Sequence, residues 1–161
     1  MNLERMKIAI SIGKGEGPTQ VAAFDAALRS AGVHNYNLIH LSSVIPPNAK
    51  IVREPRLVEV DEYGHRLYVV MARNDARVVG EEAWAGVGWT QERCDGRGLF
   101  VECTGPTDAA VRRDIELSLT AMKDSRKRDY GPIDCEVAGV RCEGRPVCAL
   151  VVAVYESAAW K

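Results

Sequence analysis

Apolar positions in this chain follow two periods. Over residues 7–12 they alternate with polar ones as in a half-buried strand, and the glycine-rich stretch 13–19 then predicts a turn. Residues 18–31 switch to a helical period that starts at Pro18 or Thr19, carries Val21, Phe24, Ala27 and Leu28 on one stripe and stops at Gly32. Residues 37–47 begin as a strand, with Leu38, Ile39 and Leu41 close together, and end at Pro46 and Pro47, which cannot donate to a ladder. The charged stretch 48–64, broken by Pro55, predicts an irregular excursion, and strands are predicted at 66–72, 81–89 and 99–105. A second helix is predicted at 108–127, capped by Thr107, with Ala110, Val111, Ile115, Leu119 and Met122 inward and basic residues near its C-terminal end, where the helix dipole favours them. A hairpin closes the pattern, 133–142 and 147–155 around a turn at 143–146. The order of elements suggests one unit used twice, although no sequence repeat supports a duplication.

Composition narrows the class. A chain of 161 residues with 47% hydrophobic content and a mean hydropathy of −0.15 suits one soluble domain with its own core. The net charge of −1 argues against nucleic acid or a membrane surface as partner. The first residues lead only into the short apolar run 8–12, neither a signal segment nor a membrane span, so the expected location is cytoplasmic. Five cysteines without a Cys-x-x-Cys pair argue against a zinc site and a disulfide framework, and the histidines have no ligand spacing, so no metal is assigned. The glycine loop lacks both the Lys-Ser/Thr of a phosphate loop and the dinucleotide spacing.

Three places could carry chemistry. If the strand at 37–43 continued unbroken, Asn37, Ile39, Leu41 and Ser43 would share a face, setting an amide and a hydroxyl on the side of the backbone that carries the Ser42–Ser43 bond. Taken alone, Ser-Ser-x-x-Pro-Pro also suits a polar strand end before a proline turn. Glu102 sits inside a predicted strand, on the face of Phe100 and Thr104; if it does not point outward to water, apolar neighbours would raise its pKa and make it a proton donor near neutral pH. Asp25 lies one step from the apolar stripe of the first helix, where a carboxylate can reach an interface and stay solvated.

The run Asn37-Leu38-Ile39-His40-Leu41-Ser42-Ser43-Val44-Ile45-Pro46-Pro47 resembles the self-cleavage site of pyruvoyl-dependent arginine decarboxylases. Gly98-Leu99-Phe100-Val101-Glu102 resembles that family's acid-bearing stretch, and Phe24-Asp25 with Ala27-Leu28 its guanidinium-binding helix. The resemblance extends from Lys7 to Trp160. It implies an α+β fold, a four-layer α/β/β/α sandwich of two face-to-face sheets with helices outside. It implies cutting of the single domain 1–161 into 1–42 and 43–161: the Ser43 hydroxyl attacks the Ser42 carbonyl, β-elimination frees the Ser42 carboxylate, and the dehydroalanine left at 43 hydrolyses to a covalently bound pyruvoyl group.

In this scheme Asn37 polarises the carbonyl or holds the ester oxygen, Glu102 donates the proton that completes decarboxylation, and Asp25 holds the guanidinium of L-arginine at two points. The product would be agmatine, and the assembly a homotrimer with its sites between subunits. His34 and Tyr36 replace a glycine and a small aliphatic residue of the family pattern, which leaves open decarboxylation of another amino acid, such as histidine. An uncut, oligomeric metabolite-binding protein is the non-enzymatic alternative.

Overall fold

Strand β1 (Met6–Glu16) does not stop where the glycines suggest a turn. It continues through Gly13, Lys14, Gly15 and Glu16, paired antiparallel with Leu150, Ala149, Cys148 and Val147. A Cβ on Gly13 would stand 2.1 Å from the Ala27 carbonyl oxygen, and one on Gly15 2.3 Å from that of Ala23, so helix α1 (Gln20–Ala31) rests its backbone directly on the strand. The helix ends are as expected: the Thr19 hydroxyl accepts the Ala22 N–H at 3.1 Å, and Gly32 closes the helix at φ 77°. The expected stripe is shifted. Ala23, Ala27 and Ala31 face the sheet, Val21 is 77% exposed, and Phe24 and Leu28 pack at the margin, because only methyl-sized side chains fit beneath so close a helix.

The computed structural model describes residues 5–55 and 60–161. After α1 come β2 (Asn37–His40), β3 (Val44–Ile45), β4 (Ala49–Val52), a 3-10 turn (Val60–Glu62), β5 (Arg66–Ala76), β6 (Glu82–Gln91), β7 (Gly98–Gly105), α2 (Asp108–Arg126), β8 (Asp134–Arg141) and β9 (Val147–Ala158). The predicted excursion at 48–64 is partly ordered, since β4 adds to β1 in parallel, Met6 opposite Ala49 through Ala9 opposite Val52. Residues 56–59 of that stretch lie outside the described residues.

Among the described residues the strands form two sheets, in the orders β2-β5-β9-β1-β4 and β3-β7-β6-β8. The first is mixed, with β1–β4 and β2–β5 parallel, and the second is antiparallel throughout. The two sheets are therefore not copies of one unit. The predicted terminal hairpin is not one either: β8 pairs with β6 in the second sheet and β9 with β1 and β5 in the first, so the turn at 143–146 carries the chain between sheets. Apolar alternation marks a buried face without saying which sheet owns it.

Three cores separate four layers, the α+β sandwich expected from the resemblance. Ile8, Ile10, Val70 and Val151 of the first sheet meet Val87, Trp89 and Phe100 of the second. The alanine face of α1 covers the outside of the first sheet with Val69, Leu150 and Val152. Helix α2 covers the second with Val111, Ile115 and Leu119, seated over glycines: a Cβ on Gly88 would meet Ile115 Cγ2 at 2.2 Å. Strand β9, covered on both faces, is buried from Val147 to Val154.

Candidate active site

The serine pair lies where the chain crosses from one sheet to the other. Strand β2 ends at His40, the Leu41 N–H still donates to the Val69 carbonyl at 2.9 Å, and by Val44 the backbone belongs to β3, opposite Leu99 of β7. Ser43 makes the turn at φ 67°, a left-handed conformation uncommon for a residue with a side chain. This breaks the two-residue period, so the expectation that Asn37 and Ser43 share a strand face does not hold. The turn is anchored on its far side by the Phe100 N–H, which donates to the Ser43 carbonyl at 2.9 Å.

From this turn the Ser43 hydroxyl donates a short hydrogen bond to Oε1 of Glu102, 59 residues along the chain. Glu102 is not embedded among apolar side chains as expected: Phe100, two residues earlier on β7, is fully buried between the sheets, whereas Glu102 is exposed in the single chain. The reason is its place on the strand, beyond the margin of the shared core. Tyr155 of β9 completes the group from the other sheet. Its ring meets Phe100 edge-on at 6.1 Å, and its hydroxyl donates to the Val44 carbonyl at 2.8 Å. Burial, and after it the charge of Glu102, push the phenol's pKa well above the usual tyrosine range.

Asn37 and Asp25 are engaged elsewhere. The Asn37 amide, exposed at the start of β2, donates to the Gly64 carbonyl at 2.8 Å rather than to the Ser42–Ser43 bond. Asp25 lies on α1, outside the first sheet, with 61% of its side chain exposed and a 3.3 Å ion pair to Arg29 one helical turn on. Tyr36 is tied to Glu62 at 2.5 Å. The buried Nδ1 of His34 has no hydrogen-bond partner among the described residues. A cleft of about 350 Å3 opens beside β3, lined by Val44, Ile45 and Leu99 together with Glu92, Arg97, Arg126 and Arg128.

Residues 7–158 match the family described as pyruvoyl-dependent arginine decarboxylase. A protein of that name from Halobacterium salinarum is 38% identical over 153 residues, 92% of this chain and 93% of that protein. Another from Methanothermobacter thermautotrophicus is 52% identical over 52 residues, 32% of this chain and 34% of the relative. The chain belongs to the pyruvoyl-dependent arginine decarboxylase family. A solved pyruvoyl-dependent histidine decarboxylase is 15% identical with a TM-score of 0.43, covering 62% of this chain and 57% of that one, a likeness too slight to bear on the fold.

For a member of this family the position of the serine pair is informative. Were a pyruvoyl group to form at residue 43, it would need a hydroxyl there beforehand, room beside it and a backbone held in place. Ser43 has the hydroxyl, its neighbour Val44 is 60% exposed, and its carbonyl is held by β7. Of the side chains singled out from sequence, the fold brings Ser43 and Glu102 together and leaves Asn37 and Asp25 apart from them. Tyr155 escaped the sequence reading because it sits at the end of a long apolar strand, where an aromatic residue is ordinary.

Proposed function

We propose that this chain cuts its own Ser42–Ser43 bond, converts Ser43 to a pyruvoyl group and decarboxylates L-arginine to agmatine and carbon dioxide. The observation that carries the reading is the hydrogen bond from the Ser43 hydroxyl to the Glu102 carboxylate, at a left-handed turn between the sheets. Glu102 accepts the hydroxyl proton as the Ser43 oxygen attacks the Ser42 carbonyl carbon and passes it to the Ser43 nitrogen as the C–N bond breaks, so that the Ser42–Ser43 amide becomes an ester and a free amine. Loss of the Ser43 α-proton and departure of the Ser42 carboxylate leave dehydroalanine; its imine tautomer takes up water and releases ammonia. A pyruvoyl group supplies a carbonyl that condenses with the substrate's α-amine and a second carbonyl that draws electrons as carbon dioxide leaves. Glu102, reprotonated from solvent in each turnover, donates a proton to the former α-carbon.

Among the described residues the carboxylate at Ser43 is Glu102, which already serves to move protons, so the guanidinium has to be held by a further acid. Of the three arginines lining the cleft beside β3, Arg97 is paired with Asp95 at 2.6 Å and Arg128 with Glu92, itself a lining residue, at 2.7 Å, so both of these carboxylates are already engaged. We therefore place Asp25 of a neighbouring copy at the substrate's far end, in a homotrimer whose sites lie between subunits. The exposure of Val44, next to the cut bond, supports an interface there. Asn37, which opens β2 while the serine pair lies beyond that strand's far end, is assigned to the scissile carbonyl of a neighbouring copy.

Intact-mass measurement of the purified protein tests the reading. The expected result is two fragments, 1–42 and 43–161, the second lacking a free amine at its N-terminus, in a trimer that releases carbon dioxide from L-arginine. A chain that stays whole after prolonged incubation overturns it.

A further inference from the structure

Cutting the Ser42–Ser43 bond would change what holds residue 43. In the whole chain it is tethered from both sides; after the cut it is a chain end attached only through Val44. The anchorage available to that end is small. Strand β3 has two residues, and the Pro46-Pro47 pair that follows has no N–H to donate. What remains is the ladder to Leu99 and Gly98, the Phe100 N–H on the Ser43 carbonyl and the Tyr155 hydroxyl on the Val44 carbonyl. Of these only Tyr155 comes from the first sheet, and it stands on β9, a strand with neighbours on both sides.

We infer that Tyr155 is a positioning residue for decarboxylation: its hydroxyl clamps the Val44 carbonyl and so keeps the reactive chain end at residue 43 facing Glu102 after the cut. This rests on the function proposed above. Two consecutive carbonyls, those of residues 43 and 44, are then held from opposite sheets, the first by β7 and the second by β9. The ring packs edge-to-face with the fully buried Phe100, a contact that favours its present orientation. The raised phenol pKa keeps the hydroxyl a donor at any pH near neutrality. The hydrogen bond between Tyr155 and the Val44 carbonyl is itself exposed, so water can replace the phenol as a partner for that carbonyl. Loss of the hydroxyl therefore costs little stability and acts on the aim of the chain end.

Tyr155→Phe in the full-length protein tests this, since it keeps the ring against Phe100 and removes one oxygen. The cut fraction comes from intact mass, the pyruvoyl content from carbonyl titration, and kcat and KM for arginine are expressed per pyruvoyl group. We expect cutting to reach the wild-type extent, Tm to fall by no more than about 4 °C, and kcat per pyruvoyl to fall about tenfold with KM nearly unchanged, the scale of a small misplacement of a reacting group. A 4-aminophenylalanine at position 155, which restores a donor at the same place, should recover most of the rate. Wild-type kcat per pyruvoyl in Tyr155→Phe, whatever happens to Tm or the cut fraction, reduces the hydroxyl to packing and overturns the inference. Failure of the donor-bearing replacement to raise the rate also overturns it. A wild-type chain that never cuts overturns the proposed function and this inference together, whereas a cut, active wild type with an unimpaired Tyr155→Phe overturns the inference alone.

Discussion

The Ser43–Glu102 end of the molecule and the Asp25–Asn37 region are built in opposite ways. At the first, every polar contact is made across the fold: Ser43 to Glu102, Tyr155 to Val44, Phe100 to the Ser43 carbonyl. At the second, the contacts are cheap to exchange. Asp25 holds an exposed partner one turn away, a pair worth about 0.3–0.5 kcal/mol, and Asn37 holds a carbonyl in an adjacent exposed turn. Under the proposed function, groups that react with the chain's own backbone would have to be in register before anything else binds, and only tertiary structure can hold them so. Groups proposed to grip a diffusible substrate could stay solvated until substrate and a second subunit arrive.

The sharpest test of this contrast lies at the serine pair. Ser43→Ala should abolish cutting and all decarboxylation, whereas Ser42→Ala, which keeps the carbonyl under attack, should still cut; equal behaviour on gels and by intact mass would break the assignment of the attacking hydroxyl to residue 43. Next in size, Glu102→Gln should slow arginine turnover by about 10²-fold or more in whatever fraction carries the pyruvoyl group, the usual scale for a lost general acid. Wild-type turnover in that fraction would remove Glu102 from the mechanism.

Asp25→Asn should act on binding alone. Losing a charge-assisted contact to the guanidinium is expected to cost about 2 kcal/mol, roughly a 30-fold drop in kcat/KM for arginine. Tm should stay nearly constant, because the ion pair lost within the chain is exposed. An unchanged preference for arginine over histidine and lysine would sink this role.

The smallest effect is a titration. Because the phenol's pKa is raised in the folded chain, the stability this contributes is complete below the ordinary tyrosine value of about 10 and is lost as pH rises through the folded value. Glu102→Gln removes the second cause, the negative charge, so the Tyr155 ring carbon signal in NMR should titrate at lower pH in that variant while still above the ordinary value through burial. Asp25→Asn should leave it in place. A phenol indifferent to Glu102 would mean that the Ser43 end is less tightly assembled than the contacts imply.

Local signals in the sequence determined much about this protein. Thr19 and Thr107 begin the helices because a hydroxyl can take up an orphan N–H, and Gly32 ends the first because a left-handed residue is needed there. Membership of the family was legible for a similar reason, since the motif around Ser42–Ser43 and the stretch ending at Glu102 set particular residue types at particular positions. What depends on the distance between elements was not legible. Gly13 and Gly15 read as a turn until the helix above them is seen, and Val21 reads as core until that helix proves too close for anything larger than alanine. The same limit applies to β8 and β9, whose alternation is compatible with a hairpin although they belong to different sheets. Most of all it applies to Tyr155, 111 residues from Val44: periodicity shows that a residue faces inward, but only the stacking of two sheets decides whose carbonyl its hydroxyl meets.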